Sequence, residues 1–177
     1  MQLRKRGPDA SVLRVQRVIA GNMGVKQIIF LLFVANITYG QIQGKVVGII
    51  DGDTFTLLTS ENKQIKIRLH GIDCPEGRQD FGNQAKQYLS NLIFSKHLKI
   101  QDKGLDRYGR TIGIVFFDNM NINEAMLSNG MAWHFKKYDK NPKWDNLESE
   151  ARILKKGLWA QENPTPPWEW RSNKKQR

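Results

Sequence analysis

Between residues 45 and 69 short apolar, β-branched runs alternate with polar turns. Lys45-Val46-Val47-Gly48-Ile49-Ile50 predicts a strand and Asp51-Gly52-Asp53 a turn. Thr54–Thr59 and Gln64–Leu69 predict two further strands, joined by the hairpin loop Ser60-Glu61-Asn62-Lys63. In the third strand Ile65, Ile67 and Leu69 alternate with Lys66 and Arg68, which makes one face apolar and the other basic. The period then changes. Ala85, Tyr88, Leu89, Leu92 and Ile93 recur at helical spacing and predict an amphipathic helix packed on the sheet. His97–Asp102 and Thr111–Phe117 read as strands four and five. Asn121 followed by Glu124 resembles a capping box, and Gly130 closes that short helix. Trp144, Leu147, Ala151 and Leu154 mark a third helix, ended by Gly157. Pro164-Thr165-Pro166-Pro167 is expected to stop regular structure, leaving residues 171–177 as a frayed basic tail. Five short strands interleaved with three helices predict an α+β fold built on a compact barrel.

The N-terminal 40 residues form a separate segment. Residues 1–27 are polar and basic, and Ile28-Ile29-Phe30-Leu31-Leu32-Phe33-Val34-Ala35 follows. Eight apolar residues are too few to span a bilayer, which takes about 20 in a helix. They match the apolar centre of a secretory signal. Thr38 and Gly40 place small side chains before a cut ahead of Gln41. Met23 offers a tidier start than Met1, with Lys26 as the positive end, so 23–40 reads as the signal. This makes a secreted or periplasmic protein the expectation, with no stable membrane insertion. The alternatives are a buried strand or a short amphipathic arm, a membrane-associated protein using residues 1–40 as an anchor and, if the segment is no signal, a cytoplasmic protein.

Composition narrows the class. At 177 residues the chain has room for one ordinary domain with tails, here 41–170. A single cysteine, Cys74, rules out an internal disulfide and an all-cysteine zinc site. Twenty-eight Lys+Arg against 17 Asp+Glu give +11, which favours a polyanionic partner. Without residues 1–40 the balance is 22 against 16, still +6.

Two carboxylate clusters stand out in so basic a chain. One is Asp51-Gly52-Asp53-Thr54, a strand-to-strand turn; the other is Asp73-Cys74-Pro75-Glu76, just past the third strand. Pro75 biases Cys74 to extended backbone, which relates the Asp73 side chain to the Cys74 carbonyl. Carboxylates and a carbonyl are hard oxygen ligands, suited to Ca²⁺ or Mg²⁺. Arg68 precedes the second cluster, and Arg110 closes Asp106-Arg107-Tyr108-Gly109-Arg110. Guanidinium groups bind phosphate bidentately. A divalent ion, two arginines and a free carboxylate are what phosphodiester hydrolysis needs.

Taken together, Val47–Thr54 with Asp-Gly-Asp-Thr, Ile67–Glu76, Asp106–Arg110, Asn123–Leu127 and Gly130–Trp133 resemble the staphylococcal nuclease family. The similarity runs on through Ala151 and Gly157-Leu158-Trp159 towards Pro167–Trp170, covering residues 44–170. The resemblance implies a five-stranded oligonucleotide-binding (OB-fold) barrel with three helices. It also implies a Ca²⁺-dependent endonuclease cutting DNA and RNA to leave 3′-phosphate ends; separately, a monomer is the expectation. By the same resemblance Asp53 and Asp73 would bind Ca²⁺ through carboxylates and Cys74 through its carbonyl, with Asp51 in support. Glu76 would be the general base or water-orienting group. Arg68 and Arg110 would contact the scissile phosphate, Arg107 and Tyr108 a neighbouring phosphate, and Tyr138 would stack on a base.

The sequence also departs from the family pattern. The best-known member has threonine where Cys74 stands, the loop Gly77–Asn83 is shorter, and Lys136 replaces a second stacking tyrosine. His134-Phe135-Lys136 hints at the H-x-K of phospholipase-type phosphodiesterases, but Asn141 stands where that motif needs Asp. Trp133, Trp144 and Trp159 read as core, Trp168 and Trp170 as a cap on the barrel, and Lys86, Lys96, Lys99 and Lys103 as solvated. The competing functional reading is a non-catalytic barrel that binds single-stranded nucleic acid or a protein.

Overall fold

The computed structural model describes residues 41–175. The basic leader, the signal-like segment 23–40 and the last two residues lie outside the described residues. The strands are β1 (Gln41–Ile49), β2 (Thr54–Thr59), β3 (Gln64–Leu69), β4 (Ile72–Asp73), β5 (His97–Leu105), β6 (Thr111–Phe117), β7 (Met120–Asn121) and β8 (Trp133–His134). The helices are α1 (Gly82–Ile93), α2 (Ile122–Ser128), α3 (Pro142–Ile153) and α4 (Pro167–Lys175), with a 3₁₀ turn at Gly157–Ala160.

The long strands follow the order β3-β2-β1-β5-β6 through antiparallel ladders. A parallel pairing of β3 with β6 closes the ring, with Ile67 opposite Thr111, Arg68 opposite Ile112 and Leu69 opposite Gly113. The result is a closed five-stranded OB-fold barrel with α-helices around it, the expected fold class. Inward residues Val46, Phe55, Leu57, Ile67, Leu69, Leu98, Ile100 and Val115 are buried against Ala85, Leu89 and Ile93 of α1 and Ile122, Met126 and Leu127 of α2. This is the alternation and helical spacing of the sequence turned into one core. Asn121 caps α2 by accepting from the Glu124 N–H at 3.2 Å. Trp144 joins the same core, while Trp133 and Trp159 pack edge to face at 4.4 Å in a second cluster with Ala151 and Leu158.

Three expectations are corrected. Strand β1 starts at Gln41 rather than Lys45, because Gln41–Lys45 pair with Gln101–His97 of β5 while Ile42 packs on the core. Helix α3 ends at Ile153, before Gly157, and the chain turns through Lys155 with φ 50°. Regular structure does not stop at Pro164–Pro167: Pro167 opens α4, which runs to Lys175, so Arg171 lies on a helix instead of a frayed tail. Proline suits a first helical turn, where its missing N–H is no loss. With α4, four α-helices surround the barrel among the described residues, one more than expected.

Candidate active site

The site forms where the β1–β2 turn, the end of β3 and the β5–β6 loop meet. Register explains the meeting. Thr54 faces Arg68 across the β2–β3 ladder, so Asp53, one residue earlier, lies within reach of the Arg68 guanidinium. The β3–β6 closure then brings Arg110, just before β6, to the same end of the barrel. Gly52 lets the Asp51–Asp53 turn press inward. A Cβ there would stand 2.8 Å from the Cys74 Cβ and 2.9 Å from the Ala85 Cβ. Asp73 is held by the short pairing of β4 with β8, opposite Trp133.

Arg68 is the hub. One terminal nitrogen pairs with Asp53 Oδ2, and the other donates to Asp73 Oδ1 at 2.9 Å. Asp53 Oδ2 also accepts the Cys74 backbone N–H at 3.2 Å, and its Oδ1 accepts the Thr54 hydroxyl at 2.9 Å. Arg110 reaches the same threonine, its Nη1 3.4 Å from Thr54 Oγ1, and is held by Asp106 at 2.7 Å. Asp53, Asp73, Cys74, Arg68 and Arg110 therefore form one connected set. Glu76 joins it through Arg171.

Arg171 of α4 is the residue that sequence reasoning missed. Its Nη2 donates to Asp73 Oδ2 at 2.6 Å, and its Nη1 to Asp73 Oδ1 at 3.3 Å and to Glu76 Oε1 at 2.7 Å. The available signal was Pro166-Pro167-Trp168: a proline suited to open a helix, with an arginine three residues past an anchoring tryptophan.

Arg107 and Tyr108 extend from the β5–β6 loop beside Arg110. Arg107 donates to the Tyr108 hydroxyl at 2.6 Å, and both guanidinium groups lie over its exposed ring. Among the described residues, Arg107 and Tyr108 make no hydrogen bond or ion pair with Asp53, Asp73 or Glu76. Tyr138 is exposed and meets the edge of Phe135 at 5.0 Å; Phe135 in turn stacks on Trp168 of α4. Lys136, in the place of a second tyrosine, pairs with Asp145 at 3.0 Å. His134, Asp145 and Glu148 also approach one another, but Asp145 takes His134 at 2.6 Å and Glu148 takes Arg152 at 2.8 Å. Those bonds tie β8 to α3 and brace α3 along its own length.

The electrostatics are those of crowded carboxylates. Burial and the neighbouring Asp53 charge push the Asp51 carboxyl up to about 7. Burial also raises the Asp53 carboxyl, but the Arg68 charge, together with hydrogen bonds from Asp51, Arg68 and the Cys74 backbone, outweighs it and holds the group below its ordinary value. For Asp73 burial prevails over Arg171 and Arg68, and the net direction is upward. Burial drives the Cys74 thiol well above its usual range, so its side chain stays neutral and unreactive. Asp51, Asp53, Asp73 and Glu76 thus outnumber the two guanidinium groups paired directly with this cluster. Each aspartate carboxylate has lone pairs left after the bonds above. The donor set is all oxygen, charged and crowded, and it fits a hard divalent cation. Asp53 and Asp73 could hold one with the Cys74 carbonyl.

Comparison with known proteins agrees with this geometry. The family model for staphylococcal nuclease homologues matches residues 66–161. The chain is 44% identical over 131 residues to an uncharacterized endonuclease of Haemophilus influenzae, covering 74% of each chain. It is 39% identical over 153 residues to protein ParB of Escherichia coli, covering 80% of this chain and 85% of that one. A probable staphylococcal-like nuclease of Oryza sativa, CAN2, is 43% identical over 113 residues, covering 64% of this chain and 31% of that one. The chain belongs to the staphylococcal nuclease family. It is a nuclease, a hydrolase whose substrate is nucleic acid.

Proposed function

We propose that this protein is a Ca²⁺-dependent endonuclease that cuts DNA and RNA with little sequence specificity and leaves 3′-phosphate ends. The observation that carries the reading is the Arg68 bridge between Asp53 and Asp73, with Arg110 one threonine away. Calcium rather than another hard cation is the family's implication. Asp53, Asp73 and the Cys74 carbonyl would hold a divalent ion, which would supply positive charge at the phosphate.

The chain's own residues do the rest. Glu76 accepts the proton of the attacking water or orients it. The water oxygen forms a bond to phosphorus, and the bond from phosphorus to the 5′ oxygen breaks. That oxygen leaves with a proton from solvent, and the phosphate stays on the 3′ side. Arg68 and Arg110 donate to the non-bridging oxygens and offset the charge that grows on five-coordinate phosphorus. Arg107 and Tyr108 hold a neighbouring phosphate, and Tyr138 offers its exposed ring to a base. A monomer, exported through the signal-like segment 23–40, completes the proposal.

The test is cleavage of single-stranded DNA and of RNA by the purified protein, with Ca²⁺ and with chelator. Ca²⁺-dependent cutting to 3′-phosphate ends is expected. Glu76→Gln should keep nucleic-acid binding and lose about 100- to 10,000-fold in rate. Wild-type cleavage by that variant overturns the role of Glu76. Binding without any cleavage favours the non-catalytic barrel.

A further inference from the structure

Glu76 stands on irregular chain between β4 and α1, and its side chain is 41% exposed. A glutamate so placed samples many rotamers, and only a few set its carboxylate beside Asp73. Among the described residues its carboxylate has one hydrogen-bond partner, Arg171. The same guanidinium grips Asp73, which is 1% exposed and fixed by the β4–β8 pairing. Arg171 therefore ties a loose carboxylate to a rigid one. The planar fork of arginine suits that task, since it offers several donors at fixed angles.

Arg171 is itself held in place. Trp168, three residues earlier and so on the same helical face, stacks on Phe135 with 4° between the ring planes and meets Trp133 edge-on at 5.7 Å. Pro167 is buried. Gln79 joins the two segments a second time, accepting the Glu76 backbone N–H at 3.2 Å and donating to the Thr165 carbonyl. The C-terminal segment and the Glu76 loop are thus cross-linked by side chain and backbone. The match to the family model ends at residue 161, before α4 begins.

We propose that Arg171 is a positioning residue of the nuclease: its guanidinium holds the Glu76 carboxylate in register with Asp73, which makes α4 a working part of the site. The proposal rests on the role of Glu76 given above. Misplacing a reacting group by about 1 Å costs on the order of 100-fold in rate, so loss of Arg171 should show in turnover more than in substrate binding.

The experiment measures kcat and KM on single-stranded DNA for the full chain and for Arg171→Ala, Arg171→Lys, Glu76→Gln and the Glu76→Gln/Arg171→Ala double variant, per folded molecule. Arg171→Ala should lower kcat by about 10- to 100-fold with KM little changed. Arg171→Lys should recover part of the loss. The double variant should be no slower than Glu76→Gln alone, because Arg171 acts through Glu76. Arg171→Met, which keeps part of the alkyl stem, replaces the alanine variant if that one does not fold. An unchanged or raised kcat in Arg171→Ala, or a further loss in the double variant equal to that in the single, overturns the proposal. Glu76→Gln at the wild-type rate overturns the role of Glu76 and this proposal together. An inactive Glu76→Gln beside a fully active Arg171→Ala overturns this one only.

Discussion

Arg68 and Asp53 form an ion pair at the barrel end, although 15 positions separate them in the chain. The pair follows from the β2–β3 register, which sets Thr54 opposite Arg68. Asp53 is 4% exposed and the Arg68 side chain 18%, so neither charge relies on water for its stabilisation. Asp73 shares the same guanidinium, so one residue bridges two carboxylates that would otherwise repel each other, and Arg171 adds a second counter-charge on Asp73.

Arg68→Ala removes that common counter-charge. Breaking a buried pair from one side costs about 3–5 kcal/mol, because the partner charge stays behind unpaired. The variant should show a lower denaturant midpoint and cleavage reduced by at least about 100-fold. Urea unfolding and steady-state cleavage, run on the same preparation, check both.

Asn123 is fully buried at the start of α2 and links three backbones. Its side chain accepts the Val115 N–H at 3.0 Å and donates to the His70 carbonyl at 2.9 Å and the Gly113 carbonyl at 3.4 Å. These bonds brace β6 against the turn that follows β3, where the barrel closes. Asn123→Ala should destabilise the protein by about 1–3 kcal/mol, since buried backbone groups lose partners that water cannot replace. The loss should appear in thermal unfolding.

Asp106 supplies a pH dependence. Partial burial raises its carboxyl, but hydrogen bonds from the Arg110 backbone and side chain outweigh this and hold it below its ordinary value. The folded state therefore binds its proton less readily than the unfolded chain, whose aspartates titrate near about 3.9. The stabilisation is whole at neutral pH and drains away as pH falls through the folded value. The stability gap between wild type and Asp106→Asn should stay constant from about pH 7 to pH 5 and shrink in stronger acid. Denaturant midpoints across that range would show it, and a gap that widens in acid would reverse the sign.

Ca²⁺ should raise the stability of the folded protein. A ligand that binds only the folded state at 100 times its Kd adds about 2.7 kcal/mol. Chelator should remove the gain, and Asp53→Asn should show little of it. Differential scanning calorimetry with and without Ca²⁺ measures the effect without any substrate.

How much of this was legible beforehand varies from element to element. Strands β2 and β3 are legible at their observed bounds, because alternating apolar positions bounded by turn residues leave few other solutions. The α2 cap was equally plain in Asn121 and Glu124. Arg171 was not, since proline-rich chain reads as an ending until a partner surface exists. Trp168 packs on Phe135 and Trp133, which the β4–β8 pairing sets in place, and α4 carries Arg171 to the site as a consequence.

The binary pattern, the basic balance, the two acidic turns and the arginines that flank them are all written in the order of residues. Those are local quantities, set by residue type and spacing. Which groups meet depends on the assembled fold: the β2–β3 register and the parallel β3–β6 closure bring Arg68 and Arg110 to Asp53, and the seating of α4 brings Arg171 to Asp73 and Glu76. Contacts between residues dozens of positions apart depend on register and on the packing of whole elements, and no short stretch of chain encodes either.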